Sequence, residues 1–152
     1  MEISVCDTSV LIRLRKGNVL HHLLTLFDKL YIPLAVKDEC RDEIVSKIIQ
    51  SSSFEIRRVN QVLGIDLGLG ETEAISLAVE LNIKTILIDD KDGIKKALQN
   101  GLKPIQSVEL LVAVKVLGLI DSVKEVLETM KANEEYIADA EWLKCLQKAG
   151  EA

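Results

Sequence analysis

An α/β domain layered around a mostly parallel sheet is the fold class this chain predicts, on three observations. Short β-branched apolar runs alternate with helical stretches along the whole length. One run, KTILID at 84–89, is apolar on both faces, as expected of a strand covered by helices on each side. Two runs, EISVC at 2–6 and KTILID, lead into aspartates: Asp7 after the first, Asp89 and Asp90 at the second. Open parallel sheets place their sites beyond such strand ends.

The elements follow in order. EISVC is a buried strand, and the segment DTSVLIRLRK after it starts a helix whose capping oxygens come from Asp7 to Ser9. Gly17 and Asn18 break that helix, and VLHHLLTLFDKL at 19–30 forms the next, with leucines at helical spacing. YIP is a brief strand, and Pro33 suits the first turn of a long helix over 34–50. FEIRRV at 54–59 alternates in polarity like an edge strand. Gly64, Gly68 and Gly70 then approach a helix over 71–82. After KTILID comes a helix at 90–101 with an acidic start and a glycine stop. LKPIQ is a last short strand, VELLVAVKVLGLI a strongly apolar helix, and two further helices span 122–132 and 137–149. No repeat, linker or low-complexity tract interrupts the pattern, so residues 1–152 are expected to form one domain.

Composition narrows the function. No apolar stretch reaches the roughly 20 residues of a membrane span, and MEISVCD lacks the basic region of a signal peptide. Cys6, Cys40 and Cys145 are scattered and odd in number, which suits buried thiols in a reducing cytoplasm. His21 and His22 are adjacent, so on a helix they diverge by about 100° and cannot share one metal. A net charge of −5 argues against a constitutive nucleic-acid binder, and five aromatics in the whole chain make a stacking platform improbable. Basic patches do surround the acidic positions: RLRK at 13–16, Arg57 with Arg58, and Lys91, Lys95 and Lys96. Contact with nucleic acid would therefore run through phosphates and metal.

The chemistry lies in the acids. Asp7, Glu39, Glu71, Glu73, Asp89 and Asp90 fall where the fold brings them to one sheet edge. Carboxylates crowded within a few ångströms raise each other's pKa or need a cation between them. A divalent-metal site for phosphodiester hydrolysis is the sharp reading. The bland one takes Asp7 and Asp92 as N-caps, Glu71 and Glu73 as charges favoured by a helix N-terminus, and Glu39 as a solvated residue. Glu39 flanks the stripe Val36, Cys40, Ile44, which leans it inward. GLGLGE lacks the GK[ST] of a phosphate loop, DDKDG lacks the spacing of a calcium loop, and no GxSxG accompanies the histidines.

Five segments in order, SVCDTSVLI, IPLAVKDE, LGLGETEAISLA, ILIDDKDGIKKA, and VELLVAVKVLGLID through LQKAGE, carry a family resemblance. The sequence resembles the PIN-like domains, and within them the small prokaryotic relatives of VapC-type toxins grouped as DUF3368. The resemblance implies a three-layer α/β/α fold whose acids bind Mg²⁺ or Mn²⁺ and cut RNA. By the same likeness Asp7 is the first ligand, with Thr8 and Ser9 as the hydroxyls that follow it, and Glu39 is the second. Glu73 matches the third position, where aspartate is commoner, and Glu71 is the competing alignment. Asp89 matches the fourth, assisted by Asp90. Arg13, Lys91 and Lys95 are the candidate phosphate contacts. The implied partners are RNA, a possible antitoxin and a second copy of the chain. Two alternatives stay open: a catalytically weak or inactive PIN-like binding module, and a receiver-like phosphoacceptor, whose lysine after the last strand is missing.

Overall fold

In the computed structural model, which describes residues 2–152, five parallel strands form one sheet in the order β3-β2-β1-β4-β5. They are β1 (Ile3–Cys6), β2 (Lys29–Pro33), β3 (Phe54–Arg57), β4 (Thr85–Leu87) and β5 (Lys103–Ile105). The helices are α1 (Thr8–Lys16), α2 (Leu20–Leu26), α3 (Leu34–Glu39), α4 (Glu43–Ile48), α5 (Leu69–Glu80), α6 (Lys91–Gln99), α7 (Ser107–Val116), α8 (Val123–Ala132) and α9 (Asp139–Lys148).

The period-2 alternation of each strand divides the core into two. Val5, Ile86 and Ile88 face Ile75, Ala78 and Ala97 of α5 and α6. Cys6, Leu30, Ile32 and Leu87 face Leu11, Leu23, Val45, Leu111 and Leu127 on the other side. This is the expected three-layer α/β/α arrangement, with FEIR on the edge as its polarity required. The chain winds outward from β1 through β2 to β3, then crosses to β4 on the opposite flank of β1. The order therefore reverses between β1 and β4, and that reversal opens a crevice beyond their carboxyl ends.

The helix expected over 34–50 is two. Cys40 is extended at φ −70°, ψ 119°, and Asp42 restarts the chain by accepting from the Val45 N–H at 3.0 Å. An ion pair from Arg15 to Asp42 at 2.6 Å fixes this second cap. The break changes the helical phase: Val45 is fully buried, whereas Ile44 of the anticipated stripe is 53% exposed. The helix expected over 19–30 stops at Leu26, because the Asp28 N–H donates to the Glu2 carbonyl (2.8 Å) and sheet pairing takes over. The helix expected from residue 71 starts at Leu69, so Gly70 lies inside its first turn. The N-cap of α6 is Asp90, whose side chain accepts from the Gly93 N–H (2.8 Å), and not Asp92. Gly17 ends α1 where α8 crosses closely: an added Cβ would stand 2.8 Å from Val126 Cγ1.

Candidate active site

Asp7 follows the last residue of β1, and Asp89 lies two past the end of β4. Because Cys6 pairs with Leu87, the register sets Asp7 against Ile88 and Asp89 one residue further along, both at the carboxyl edge of adjacent strands. The Asp7 N–H donates to the Leu87 carbonyl (3.1 Å), which locks the two strand ends together. Thr8, the first residue of α1, is buried beneath them. Asp7 is 8% exposed, and its Oδ2 accepts from the Ser9 hydroxyl at 3.1 Å. Burial pushes its carboxyl up to about 6; the Ser9 hydrogen bond opposes the rise, and the charges of Glu71 and Glu39 add to it. Asp89 is also raised by burial, against the Ser107 N–H (2.8 Å to Oδ1) and the Arg13 guanidinium. Its Oδ2 is buried, lies 3.6 Å from Arg13 Nη1, and has no hydrogen-bond partner. The Cys6 thiol, buried below, is raised by burial and then by both aspartates.

The glutamates separate into two groups. Glu39 ends α3, a poor place for a carboxylate beside unpaired helix carbonyls. It is held over α5 instead: a Cβ added to Gly70 would stand 2.5 Å from Glu39 Oε2 and 3.6 Å from Val36 Cγ2. Glycine at 70 is thus what lets the carboxylate approach. Glu71, in the first turn of α5, reaches the field of Asp7. Glu73, two residues on and about 200° around the helix, turns elsewhere: its Oε1 accepts from the Ala35 N–H at 3.4 Å, at the start of α3. The charges of Glu39 and Glu71 thus act on Asp7, while Glu73 lines the neighbouring cleft with Glu39 and Asp90 caps α6. Of the two candidates for the third acid, Glu71 is the one whose charge acts on Asp7.

A model of the family described as DUF3368, PIN domain, matches residues 3–151. The chain belongs to this PIN-domain family. Among solved structures it resembles a PilT N-terminus domain protein from the hyperthermophilic archaeon Sulfolobus solfataricus P2. The TM-score is 0.54 and the identity 23%, over 74% of this chain and 92% of that one. That likeness concerns the fold. No curated protein matches the chain.

The cations of this PIN domain are not equivalent. Arg13 is turned inward, with Nη1 donating to Glu141 Oε2 (2.9 Å) and Ser107 Oγ (3.1 Å), and Nη2 to Glu141 Oε1 (3.3 Å) and the Tyr136 carbonyl (3.1 Å). Glu135 lies 3.5 Å from its Nε. With these partners it fastens the C-terminal helices to Asp89, and it is not a free cation for phosphate. Lys91 and Lys95 are exposed one turn apart on α6, and neither forms an ion pair among the described residues. The partners of Arg13 were not visible in the sequence, because Glu135, Glu141 and Ser107 lie more than 90 residues away.

Two observations bear on a metal. The donors are all carboxylate oxygens, the chemistry of a hard divalent cation such as Mg²⁺ or Mn²⁺. The orphaned Asp89 Oδ2 and the proton-prone Asp7 are what such a cation would satisfy. As the side chains stand, no group of three or more His, Cys, Asp or Glu among the described residues is drawn close enough to hold an ion. The donor chemistry fits such a cation, while the side chains as they stand do not enclose one. No helix among the described residues is long and apolar enough to cross a membrane.

Proposed function

We propose that this PIN domain is a divalent-metal-dependent endoribonuclease of the VapC toxin type, hydrolysing RNA phosphodiester bonds at the crevice between β1 and β4. The observations that carry the reading are Asp7, buried at the end of β1 with the charges of Glu71 and Glu39 acting on it, and Asp89, just past the adjacent strand, with a buried oxygen that no hydrogen bond satisfies. Asp7 and Asp89 would hold Mg²⁺ or Mn²⁺, with Glu39 and Glu71 completing the shell directly or through water. The bound ion supplies an acidified water and neutralises charge on the leaving oxygen. Asp7 is held in orientation by the Ser9 hydroxyl, and Asp89 by the Ser107 N–H and Arg13. Lys91 and Lys95 would attract the phosphate chain to the α6 side. Cleavage of a labelled single-stranded RNA in Mn²⁺ tests the proposal. It should be abolished in Asp7→Asn and Asp89→Asn, fall at least 100-fold in Glu71→Gln, and change less than tenfold in Glu73→Gln. RNA left intact by the wild type at millimolar Mn²⁺ would refute it.

One observation favours a second reading, a PIN module that binds without cutting: Arg13 already supplies Asp89 with a positive partner. Under either reading a small antitoxin would cover the crevice. The exposed Val116, Leu117 and Leu143 of the α7–α9 region would serve a homodimer. Light scattering reads the second point directly, as a mass near twice 16.9 kDa.

A further inference from the structure

Beside the acidic centre, on the side away from α6, lies a cleft of about 360 Å³ between α3 and α5. Asp38, Glu39 and Glu73 form its acidic side, Leu34 and Leu69 are its apolar lining, and Arg41 and Arg58 are its cations. Resting on the ribonuclease reading, we propose that this cleft seats the nucleotide of single-stranded RNA next to the scissile phosphate. Arg58 and Arg41 take that nucleotide's flanking phosphate, and Leu34 and Leu69 pack on its sugar or base.

Four features point there. Glu39 belongs to both the cleft and the acidic centre, so a strand lying in one passes the other. Arg58 follows β3 at the same sheet edge as Asp7 and Asp89, is exposed, and forms no ion pair among the described residues. Its neighbour Arg57 differs: it pairs with Glu55 and lies 5.7 Å from the Tyr31 ring centroid. Arg41 uses one donor, Nη1 to the Asp38 carbonyl at 2.8 Å, and is otherwise uncommitted. Leu69 is 57% exposed at the first position of α5, an apolar side chain that nothing in the fold covers. The α3 amide in the cleft is already taken, by Glu73 at 3.4 Å, so the guanidinium groups are the anion-binding elements. Guanidinium pairs phosphate through two parallel N–H bonds, which adds direction to attraction. A phosphate needs such partners here, because Asp38, Glu39 and Glu73 repel it. Together with Lys91 and Lys95 on the far side, the arginines would bracket the acidic centre with positive charge despite the chain's net −5.

The test is fluorescence anisotropy of a labelled single-stranded RNA dodecamer with Mg²⁺, in the Asp7→Asn background that keeps the RNA intact. Steady-state cleavage by otherwise wild-type protein runs beside it. Arg58→Gln and Arg41→Gln should each weaken binding about 5–10-fold and reduce the slope of log K against log salt by about one. In the cleavage assay KM should rise by a similar factor with kcat within twofold, while Mn²⁺ affinity and Tm stay at wild-type values. Arg58→Lys should restore part of the affinity. Wild-type affinity and salt slope in both glutamine variants, beside normal cleavage, would overturn the cleft assignment and leave the ribonuclease reading standing. So would a loss matched by lower Tm or weaker Mn²⁺ binding. Failure of both parent proteins to bind or cut RNA would overturn both.

Discussion

Replacing Asp7 by asparagine keeps the side chain's shape and one acceptor oxygen but removes its charge. In the folded chain this carboxyl is raised from 3.8 to about 6, first by burial and then by Glu71 and Glu39 against the help of Ser9. A rise of that size corresponds to about 3 kcal/mol held against the folded state when the group is ionised. Between pH 3.8 and about 6 the folded protein binds more protons at Asp7 than the unfolded chain does. Stability therefore falls as pH rises through that window, and the whole penalty is present above it. Asp7→Asn escapes the penalty. For a domain of this size about 1 kcal/mol moves Tm by 2–4 °C, so the variant should melt roughly 6–12 °C higher than wild type at pH 7.5 without metal. Near pH 4 the two should melt together. Scanning calorimetry in EDTA at both pH values reads the difference. Equal shifts at both pH values, or a variant less stable at pH 7.5, would refute the account of Asp7 as a buried, repelled carboxylate.

Gly70→Ala should leave metal-free Tm unchanged or slightly raised, since alanine outranks glycine within a helix by about 1 kcal/mol. It should still weaken Mn²⁺ binding about tenfold by displacing the Glu39 carboxylate that stands 2.5 Å from the new Cβ; calorimetric titration measures this. Arg13→Gln leaves Glu141 and Asp89 without their shared cation and should destabilise by about 3 kcal/mol in urea unfolding, with partial recovery in the double variant carrying Glu141→Gln. Glu151 is partly desolvated, but Lys115, the Val123 and Lys124 amides and Ser122 outweigh that and hold it at about 2. Its contribution is complete above 4.5, the ordinary glutamate value, and lost as pH falls through 2. Because the site is partly open to solvent, Glu151→Gln should lower Tm at pH 7 by only roughly 2–4 °C, and by less as the acid is titrated.

The layered parallel sheet was legible because buried strands read as continuous apolar runs, and each of the five can be seen in the sequence. Element ends were less so, and each discrepancy has a local cause. The split between α3 and α4 depends on the ion pair of Asp42 with Arg15, 27 residues earlier, although an aspartate followed by Glu43 was a visible cap signal. Asp90 outcompeted Asp92 as the α6 cap because its side chain stands where the Gly93 N–H can reach it. Asp7 and Asp89 could be placed at the crevice from the strand ends alone. Glu71 and Glu73 could not be separated, since their spacing puts only one toward Asp7 and the helix phase is set by a start at Leu69. Arg13 looked like one more basic residue of RLRK, and only the packing of α9 against α7 and α8, which brings Glu141 to it, shows where it is held.

Calorimetric titration of Mn²⁺ into wild type beside Asp7→Asn tests the central claim most directly, that the four acids form a metal centre. Saturable binding to wild type, lost in Asp7→Asn and weakened in Glu71→Gln more than in Glu73→Gln, is the predicted result. Absence of binding to wild type, or equal binding to Asp7→Asn, would contradict it.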